Sequence, residues 1–427
     1  MGPIESAWQY PLFEALYGRR SRRFGLGFEI AEGPLPFRST KAPLPLSELE
    51  EALLVGAGVG VTGAPLWDMA RPAALAAGLG RPFGSPTGGR RTALFFTNDQ
   101  GVHVVDPNAA ATKVREIETP TERDKVLAGY RARRRTLRAG RLDIPRRVPP
   151  FFGHNLWDSN QPGSTLFMPI CDLSVSVIAL LLQLVDGDVG RFVAGHGGGF
   201  YVVDDRQGFR PAGIERWAAR GFLDREKVLP LSLLERQAGY FMLNEPAIIC
   251  QNIFLATEAL GLGGWMHCGF LSAGILEALG FERVAPERSG SPPHPVGLHG
   301  VFEAFCPPFF PSMDAAVDAV AARLARRGPS DSDRLPQPGP APYTMLDAQY
   351  RDAIVEVSDE GVACTKAICN YIHDTYGRFP ATTDAMQLGW LMQVHHLDLD
   401  FYDRYFKPGA CGPTHREHLD AWHGPAR

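Results

Sequence analysis

The sequence predicts a globular fold in which helices and strands are mixed around a long apolar segment. Of the 427 residues, 45% are hydrophobic and 21% are charged, which is typical of a chain that folds around a core. Residues 98–101 are a turn between two strand-like segments, and nearly every side of residues 247–256 is apolar. We therefore expect a strand hairpin and a helix that is buried on most of its surface.

The composition limits the partners and the compartment. The formal net charge of −4 is small for this length, so the overall charge gives no support for a nucleic-acid partner. The seven cysteines are scattered, which favours reduced thiols in the cytosol over a disulfide framework. The N-terminus lacks a signal-peptide pattern, and the longest apolar run, residues 173–185, is too short to span a bilayer. A cytoplasmic protein without membrane contact is expected.

An arginine-rich segment follows the first predicted helix, which covers residues 7–17 and ends at Gly18. Four arginines surround Ser21, namely Arg19, Arg20, Arg22 and Arg23. Guanidinium groups match phosphate oxygens in pairs, and a hydroxyl adds a further donor. Two interpretations stay open for this segment, a solvated basic turn and a phosphate site.

A second helix is predicted after Ser47, because Glu50 completes a capping box three residues later. The glycines within residues 56–60 follow this helix rather than a strand, which argues against a dinucleotide-binding motif. The turn-rich loop 84–91 then leads into the predicted hairpin of residues 92–105.

The middle of the chain combines a basic stretch with a buried helix. Residues 107–150 are polar and basic, and the arginines that end their predicted helix are interpreted as a solvated face. Residues 173–185 predict the buried helix. Residues 195–200 resemble the oxyanion loop of lipases, but the chain lacks the Gly-x-Ser-x-Gly elbow that this chemistry requires. We therefore predict a strand from Phe200 rather than a hydrolase site.

The apolar segment is predicted to be a pair of consecutive helices. Residues 231–243 form the first, and Pro246 suits the first turn of the second, because its missing N–H would be unpaired there. Glycines within 261–264 end this second helix. Its Gln251 and Asn252 are interpreted as structural polar groups.

Four further elements follow this pair. Residues 265–270 predict a short buried strand and residues 271–280 a helix. Residues 297–305 predict another central strand, and residues 313–327 predict a helix with a basic end.

Residues 343–427 are predicted to form a helical C-terminal extension. They follow a predicted linker at 328–342, which contains five prolines. Cys364 and Cys369 of the extension do not have the spacing of a zinc pair. Imidazoles and carboxylates crowd together at 395–403, as they do in metal sites. Adjacent histidines on a helix face different sides, so a polar helix end or an interface is preferred and no metal ligand is assigned.

Several of these segments occur in the order and rough spacing of the flavin-dependent nitroreductase superfamily. Residues 19–24 resemble its N-terminal Arg-x-Ser-x-Arg motif, and residues 46–60 are similar to the helix that follows. Residues 259–263 and 266–270 resemble the glycine end of its core helix and the strand that passes the flavin ring. The loop 85–88 is similar to that of the azoline-forming dehydrogenases of peptide modification.

The resemblance implies an α+β nitroreductase-like sandwich, whose mostly antiparallel or mixed central sheet is flanked by helices. It places an FMN-binding domain at 1–327, with an insertion around 107–163. It also implies a homodimer with FMN at the interface. The FMN phosphate would bind to the arginine–serine motif, and the flavin ring would lie between the loop 86–88 and residues 268–269. The cofactor-binding residues it implies are Arg19, Ser21, Arg23, Pro86, Thr87, Gly88, Cys268 and Gly269.

The implied activity is that of an FMN-dependent oxidoreductase. Hydride would move between the flavin and a small-molecule or peptide substrate stacked on its ring, and reductive members of the family take electrons from NAD(P)H. Because the cofactor carries this chemistry, no catalytic residue is assigned. Cys268 stands where some members have a glutamate, and its thiol is interpreted as structural or as reactive.

A flavin-free protein of the same fold is the alternative. Many family members have a further basic residue for the phosphate near the end of the domain, and the segment after Gly297 has none there. Such a chain would act as a binding or scaffold subunit that uses its C-terminal region for interaction. The intact arginine–serine motif favours the flavin enzyme.

Overall fold

The structure is a computed structural model that describes residues 2–60, 81–85, 91–105, 123–186, 199–285, 293–325 and 357–424. Its helices are α1 (Pro3–Trp8), α2 (Leu12–Gly18), α3 (Glu48–Val59), α4 (Arg123–Arg133), α5 (Ser174–Leu184), α6 (Glu215–Ala219), α7 (Leu231–Leu260), α8 (Ser272–Leu279), α9 (Met313–Ala325), α10 (Asp359–Tyr376), α11 (Leu399–Tyr405) and α12 (Pro413–His423). Within the described ranges, no helix has both the length and the apolar character needed to cross a membrane.

The strands include several pieces of only two residues. They are β1 (Glu29–Ile30), β2 (Phe37–Arg38), β3 (Thr92–Thr97), β4 (Gly101–Val105), β5 (Arg134–Ala139), β6 (Thr165–Asp172), β7 (Gly199–Asp204), β8 (Arg210–Pro211), β9 (Leu223–Pro230), β10 (Gly263–His267), β11 (Glu282–Val284), β12 (His294–Leu298), β13 (Phe302–Glu303), β14 (Met386–Gln387) and β15 (Leu391–His395).

An antiparallel sheet in the order β10-β15-β6-β3-β4-β5 forms the centre of the molecule, and β14 also pairs with β6. The predicted hairpin is its core, where Phe95 of β3 lies opposite Val104 of β4 and Met168 of β6. A parallel pair, β7 with β9, belongs to a smaller sheet. The expected α+β class with a mostly antiparallel central sheet is confirmed.

Helices cover both faces of this sheet. Successive side chains of a strand point to opposite faces. Phe95 accordingly packs into the core that contains α5, whereas Leu94 and Phe96 pack into a second core with α3 and α7. Burial on both faces explains why every residue of β3 is buried and why the four residues between Thr92 and Thr97 are all apolar.

The long apolar segment is one helix rather than two. α7 runs from Leu231 through Pro246 to Leu260, so the prediction that Pro246 opens a new helix is wrong. Proline removes one backbone hydrogen bond inside a helix, but packing can compensate for that loss. Leu234 and Met242 before the proline and Ile253 after it are all buried.

The C-terminal region is part of the central sheet, and the prediction of a purely helical extension is wrong. β15 lies between β10 and β6 and pairs with both. All five of its residues, Leu391 to His395, are buried. Its five residues, Leu-Met-Gln-Val-His, are too few for periodicity alone to distinguish a strand from a helix. The proposed linker at 328–342 lies outside the described residues.

One further prediction is wrong in position. Residues 297–305 do not form a central strand, because the chain turns at Gly300, whose φ is 65°. β12 instead lies between β11 and β13 in a separate three-stranded sheet. The arginines at the end of α4 continue into β5, an edge strand of the central sheet. Arg135 and Arg138 are exposed, as expected for a solvated face, whereas Arg133 is buried. Charged side chains on an edge strand protect it from pairing with another chain.

Candidate functional site

The arginine segment (residues 19–23) leaves α2 and lies beside the first residues of β10. Arg22 forms an isolated antiparallel bridge with Gly264. A Cβ atom on the neighbouring Gly263 would lie 3.0 Å from the carbonyl oxygen of Arg22 and 2.2 Å from Leu397. Glycine in this strand therefore permits the close approach that places the arginines next to β10.

Arg23 is held at this edge by polar and aromatic side chains. Its Nε lies 2.5 Å from Oδ2 of Asp158, and its Nη2 donates to Oδ1 of Asn155 at 3.0 Å. Its guanidinium carbon lies 3.9 Å from the centre of the Trp265 ring, a cation–π contact. These contacts fix the guanidinium group, while 29% of the Arg23 side chain remains exposed.

Asp158 is fully buried beneath this arginine. Burial raises the pKa of its carboxyl to about 6, although the hydrogen bond and charge of Arg23 act in the opposite direction. Its second oxygen, Oδ1, has no hydrogen-bond partner among the described residues. The carboxyl can therefore gain a proton near neutral pH.

Arg22 and Arg19 have different roles. Arg22 is buried, with Nη1 2.6 Å from Oε1 of Glu258 and Nε donating to the carbonyl oxygen of Ala410. It ties α7 to the C-terminal region and does not face solvent. Arg19 lies with its guanidinium carbon 4.7 Å from the Phe254 ring, and it has no carboxylate partner among the described residues. Ser21 is exposed.

Cys268 and Gly269 follow β10, and the structure brings Gly269 to the same edge as Arg23. Asn155 connects them, because its Oδ1 accepts from Arg23 and its Nδ2 donates to the Gly269 carbonyl oxygen at 3.4 Å. A Cβ atom at Gly269 would lie 2.3 Å from that Nδ2, so a larger residue would displace the Asn155 side chain. Cys268 is exposed. Pro86, Thr87 and Gly88 lie outside the described residues.

His267 and Trp265 stack beneath this edge, with ring centres 3.8 Å apart and ring planes 12° apart. Burial lowers the pKa of His267 to about 3, and the charge of Arg23 adds to this effect, so the imidazole is neutral. Neither ring nitrogen of His267 has a hydrogen-bond partner within the described ranges, and neither does Nε1 of Trp265. Two buried polar side chains are thus left to interact with another group.

The sequence did not indicate Asn155, Asp158 or Trp265 as site residues. Asn155 and Asp158 lie in a turn-rich stretch that was assigned to an insertion, and Arg23 and Asp158 are 135 positions apart. Trp265 was expected only as part of a buried strand. An Asn-x-x-Asp pair has no motif of its own, so only the fold reveals these contacts.

A second polar cluster lies at the N-terminal end of α3. Glu50, His396, His418 and His423 each direct one potential ligand atom inwards, and these atoms lie within 4.8 Å of one another. His396 belongs to the histidine-rich stretch that the sequence singled out, but the other three residues do not. Its neighbour His395 ends β15 and packs against Phe28. The two histidines face different sides, but they lie at the end of a strand and not on a helix as predicted.

The fold and this edge define an α+β protein with an arginine held over a tryptophan beside an exposed cysteine. No protein-family model matches the chain, and no curated protein matches it in sequence. Among solved structures, it is similar to a provisionally assigned nitroreductase from Ralstonia eutropha. The two chains are 14% identical, the match covers 64% of this chain and 76% of the other, and the TM-score is 0.29. A TM-score this low carries no argument about activity.

Proposed function

We propose that this chain is an FMN-dependent oxidoreductase that acts on a small-molecule or peptide substrate. The observation that carries the proposal is the connection of Arg23 to Gly269 through Asn155. The resemblance assigned Arg23 to a phosphate and Gly269 to a flavin ring from distant parts of the sequence. Their meeting at one sheet edge is what a shared cofactor would need.

The residues at this edge have the chemistry to hold FMN. Arg19 and Ser21 offer donors for a phosphate. The flat peptide at Gly269 would let a ring approach the backbone closely, and Cys268 lies beside it in contact with solvent. Bound FMN would supply hydride transfer to or from the substrate. The protein's own contribution is to orient the ring, and the neutral His267 adds no charge beneath it.

Exposed apolar side chains support the homodimer that the proposal includes. Leu12, Phe13 and Tyr17 of α2 are 62%, 70% and 78% exposed. They lie on the helix that leads into the arginine segment. A second copy covering α2 would bury them and enclose the cofactor edge, since contiguous exposed apolar side chains often mark an interaction site.

The alternative of a flavin-free binding subunit also has an observation in its favour. Arg23 already forms an ion pair with a buried carboxylate, as a purely structural arginine would. FMN would therefore depend mainly on Arg19 and Ser21 for its phosphate contacts. The two functions are distinguished by whether the purified protein carries or binds flavin.

FMN binding to the untagged full-length protein tests the proposal. We expect flavin absorbance in the purified protein or after addition of FMN. Replacement of Arg19 by alanine should weaken FMN binding about 10–100-fold, because a charge-assisted hydrogen bond contributes about 1.5–3 kcal/mol. Flavin fluorescence during titration measures the dissociation constant.

Arg20→Ala is the matched control for this substitution. Arg20 is the neighbouring arginine and is exposed, and its side chain donates to the backbone carbonyls of Tyr17 and Arg19. FMN affinity should be unchanged in this variant. A colourless wild-type protein that binds no added FMN would contradict the proposal and favour the flavin-free subunit. Equal losses in both variants would show only a general charge effect and would move the phosphate site elsewhere.

A further inference from the structure

The cluster at the N-terminal end of α3 joins three separate parts of the chain. Glu50 comes from the first turn of α3, His396 follows β15, and His418 and His423 come from α12. The Oε1 atom of Glu50 lies 3.3 Å from Nε2 of His396, 2.9 Å from Nε2 of His418 and 3.2 Å from Nε2 of His423. The Nε2 atoms of His396 and His423 are 3.1 Å apart.

The backbone fixes the tautomers of two of these histidines. Nδ1 of His418 lies 2.6 Å from the carbonyl oxygen of Leu260, and Nδ1 of His396 lies 3.3 Å from that of Leu44. A carbonyl oxygen only accepts hydrogen bonds, so both Nδ1 atoms carry the proton. In the neutral rings, both Nε2 atoms then direct a lone pair towards the centre of the cluster.

Glu50 directs a further acceptor to the same point. Its Oε2 accepts the backbone N–H of Ser47 in the capping box, which turns Oε1 towards the histidines. The contact between Oε1 and His418 lacks the alignment of a hydrogen bond, although the atoms are 2.9 Å apart. Lone pairs from Glu50, His396 and His418 therefore converge, and acceptors this close together are unfavourable unless donors or a cation lie between them.

A cation satisfies this arrangement better than added protons. One proton can bridge only one pair of atoms. Protonating both His396 and His418 would place two charges on buried rings whose centres are 5.1 Å apart. A metal ion meets all four atoms at once, and bonds of about 2.0–2.1 Å to zinc give tetrahedron edges of about 3.3 Å. The three distances from Glu50 and the distance between His396 and His423, 2.9–3.3 Å, are close to that edge, and all four atoms lie within 4.8 Å of one another.

We propose that Glu50, His396, His418 and His423 bind a divalent zinc-type transition-metal ion. Imidazole and carboxylate ligands select such ions over calcium or magnesium, which prefer oxygen ligands. The Nδ1–H bonds to Leu260 and Leu44 are the outer contacts that orient ligating histidines in known metal sites. The site is independent of the proposed flavin chemistry.

Four protein ligands make this a closed and structural site. Catalytic zinc sites keep one position for water or substrate, whereas structural sites have four protein ligands. The side chains of Glu50 and His396 have no exposed surface, and that of His418 is 2% exposed. Only His423, 23% exposed, lies at the rim. The ion would fasten α12 and the end of β15 to the first turn of α3.

Zinc binding to the untagged, chelator-treated full-length protein tests the site. We expect one zinc ion per chain by elemental analysis, a rise of several degrees in the melting temperature on zinc addition, and the visible absorption of tetrahedral Co²⁺ after cobalt substitution. His423→Ala should weaken zinc binding by more than about 100-fold, since even outer contacts contribute about 10–100-fold. Its position at the rim leaves the fold intact.

His299→Ala is the control, because His299 is exposed and lies outside the cluster. It should bind zinc as the wild type does. Failure of folded wild-type protein to bind zinc or cobalt stoichiometrically would overturn the proposal, whatever the variants do. Zinc binding that is equal in the wild type and in His423→Ala would overturn it as well. Because FMN binding is measured separately, neither result depends on the flavin proposal.

Discussion

Adjacent arginines of the arginine segment have opposite environments. The bridge between Arg22 and Gly264 shows that the backbone is locally extended, so neighbouring side chains point to opposite sides. Arg22 enters the core and pairs with Glu258, whereas Arg23 lies over Trp265 beside β10. Burial raises the pKa of Glu258 and the charge of Arg22 acts against that rise. Arg22 thus ties α7 to the arginine segment, while the side chain of Arg23 stays 29% exposed in its ion pair with Asp158.

Asp158 gives stability a pH dependence that can be measured. Burial raises its folded-state pKa to about 6 from an ordinary value of 3.8, so the folded state holds the proton more tightly than the unfolded state. Stability therefore falls as pH rises through the range between these values. Between pH 5 and pH 7, this residue should remove about 1 kcal/mol from the free energy of unfolding.

Asp158→Asn should remove this part of the pH dependence, because asparagine has a similar shape and does not titrate. Urea unfolding of the wild type and the variant at pH 5 and pH 7 measures the free energy of unfolding of each, and so its change with pH. The wild type should lose stability relative to the variant as pH rises. A wild type that instead gains relative to the variant would show that the ion pair with Arg23 outweighs burial.

The sequence could indicate only some of the residues that meet beside β10. Arg23 and Gly269 belong to motifs whose residues are close in sequence, so pattern alone proposed them as cofactor contacts, and that role stays a prediction. Asn155 and Asp158 act through contacts with residues more than a hundred positions away, and nothing in their local sequence marks them. The same limit applies to the cluster at α3. The histidine-rich stretch is visible in the sequence, but its contacts with Glu50, His418 and His423 are not.

At the level of elements, predictions were right where local contacts determine the structure. The capping box of Ser47 and Glu50 is present as expected, and the hairpin of β3 and β4 turns at Asn98. Predictions failed where packing decides. α7 continues through Pro246 because both halves are buried, and β15 is a strand because its neighbours supply the hydrogen bonds.

The end of α7 depends on a glycine for two separate reasons. Gly261 has φ of 78°, a left-handed conformation, and a Cβ atom there would lie 2.2 Å from the carbonyl oxygen of Thr414. Gly261→Ala should therefore destabilise the protein by about 1–2 kcal/mol for conformation and a further ~1–3 kcal/mol for the clash with α12. Denaturant unfolding measures the difference.

Gly221→Ala separates these two contributions. Gly221 has φ of 76°, but a Cβ atom there would meet nothing within 4 Å. It should show only the conformational part of the loss. Equal destabilisation of the two variants would mean that α12 does not closely contact the end of α7 in solution.

At the scale of the whole molecule, distant segments of the chain meet at the candidate sites. β15 lies between β10, which leads to Cys268 and Gly269, and β6 in the centre of the sheet. Its residues Met392 and Val394 pack in the same core as Phe167 and Ile253. The predicted division into a domain at 1–327 and an extension at 343–427 does not show this arrangement. The two parts are joined by pairing between strands that are far apart in the chain.

A chain that ends at residue 327 tests the role of the C-terminal region. Without β15, the strands β10 and β6 would lose their shared partner, and the buried apolar side chains around them would be exposed. We expect residues 1–327 to be aggregated or to lack a cooperative unfolding transition in circular dichroism. Addition of the separate fragment 343–427 should restore part of the transition, because the missing strand is supplied in trans. Cooperative unfolding of 1–327 alone, at the denaturant midpoint of the full chain, would show that the region is an independent extension after all.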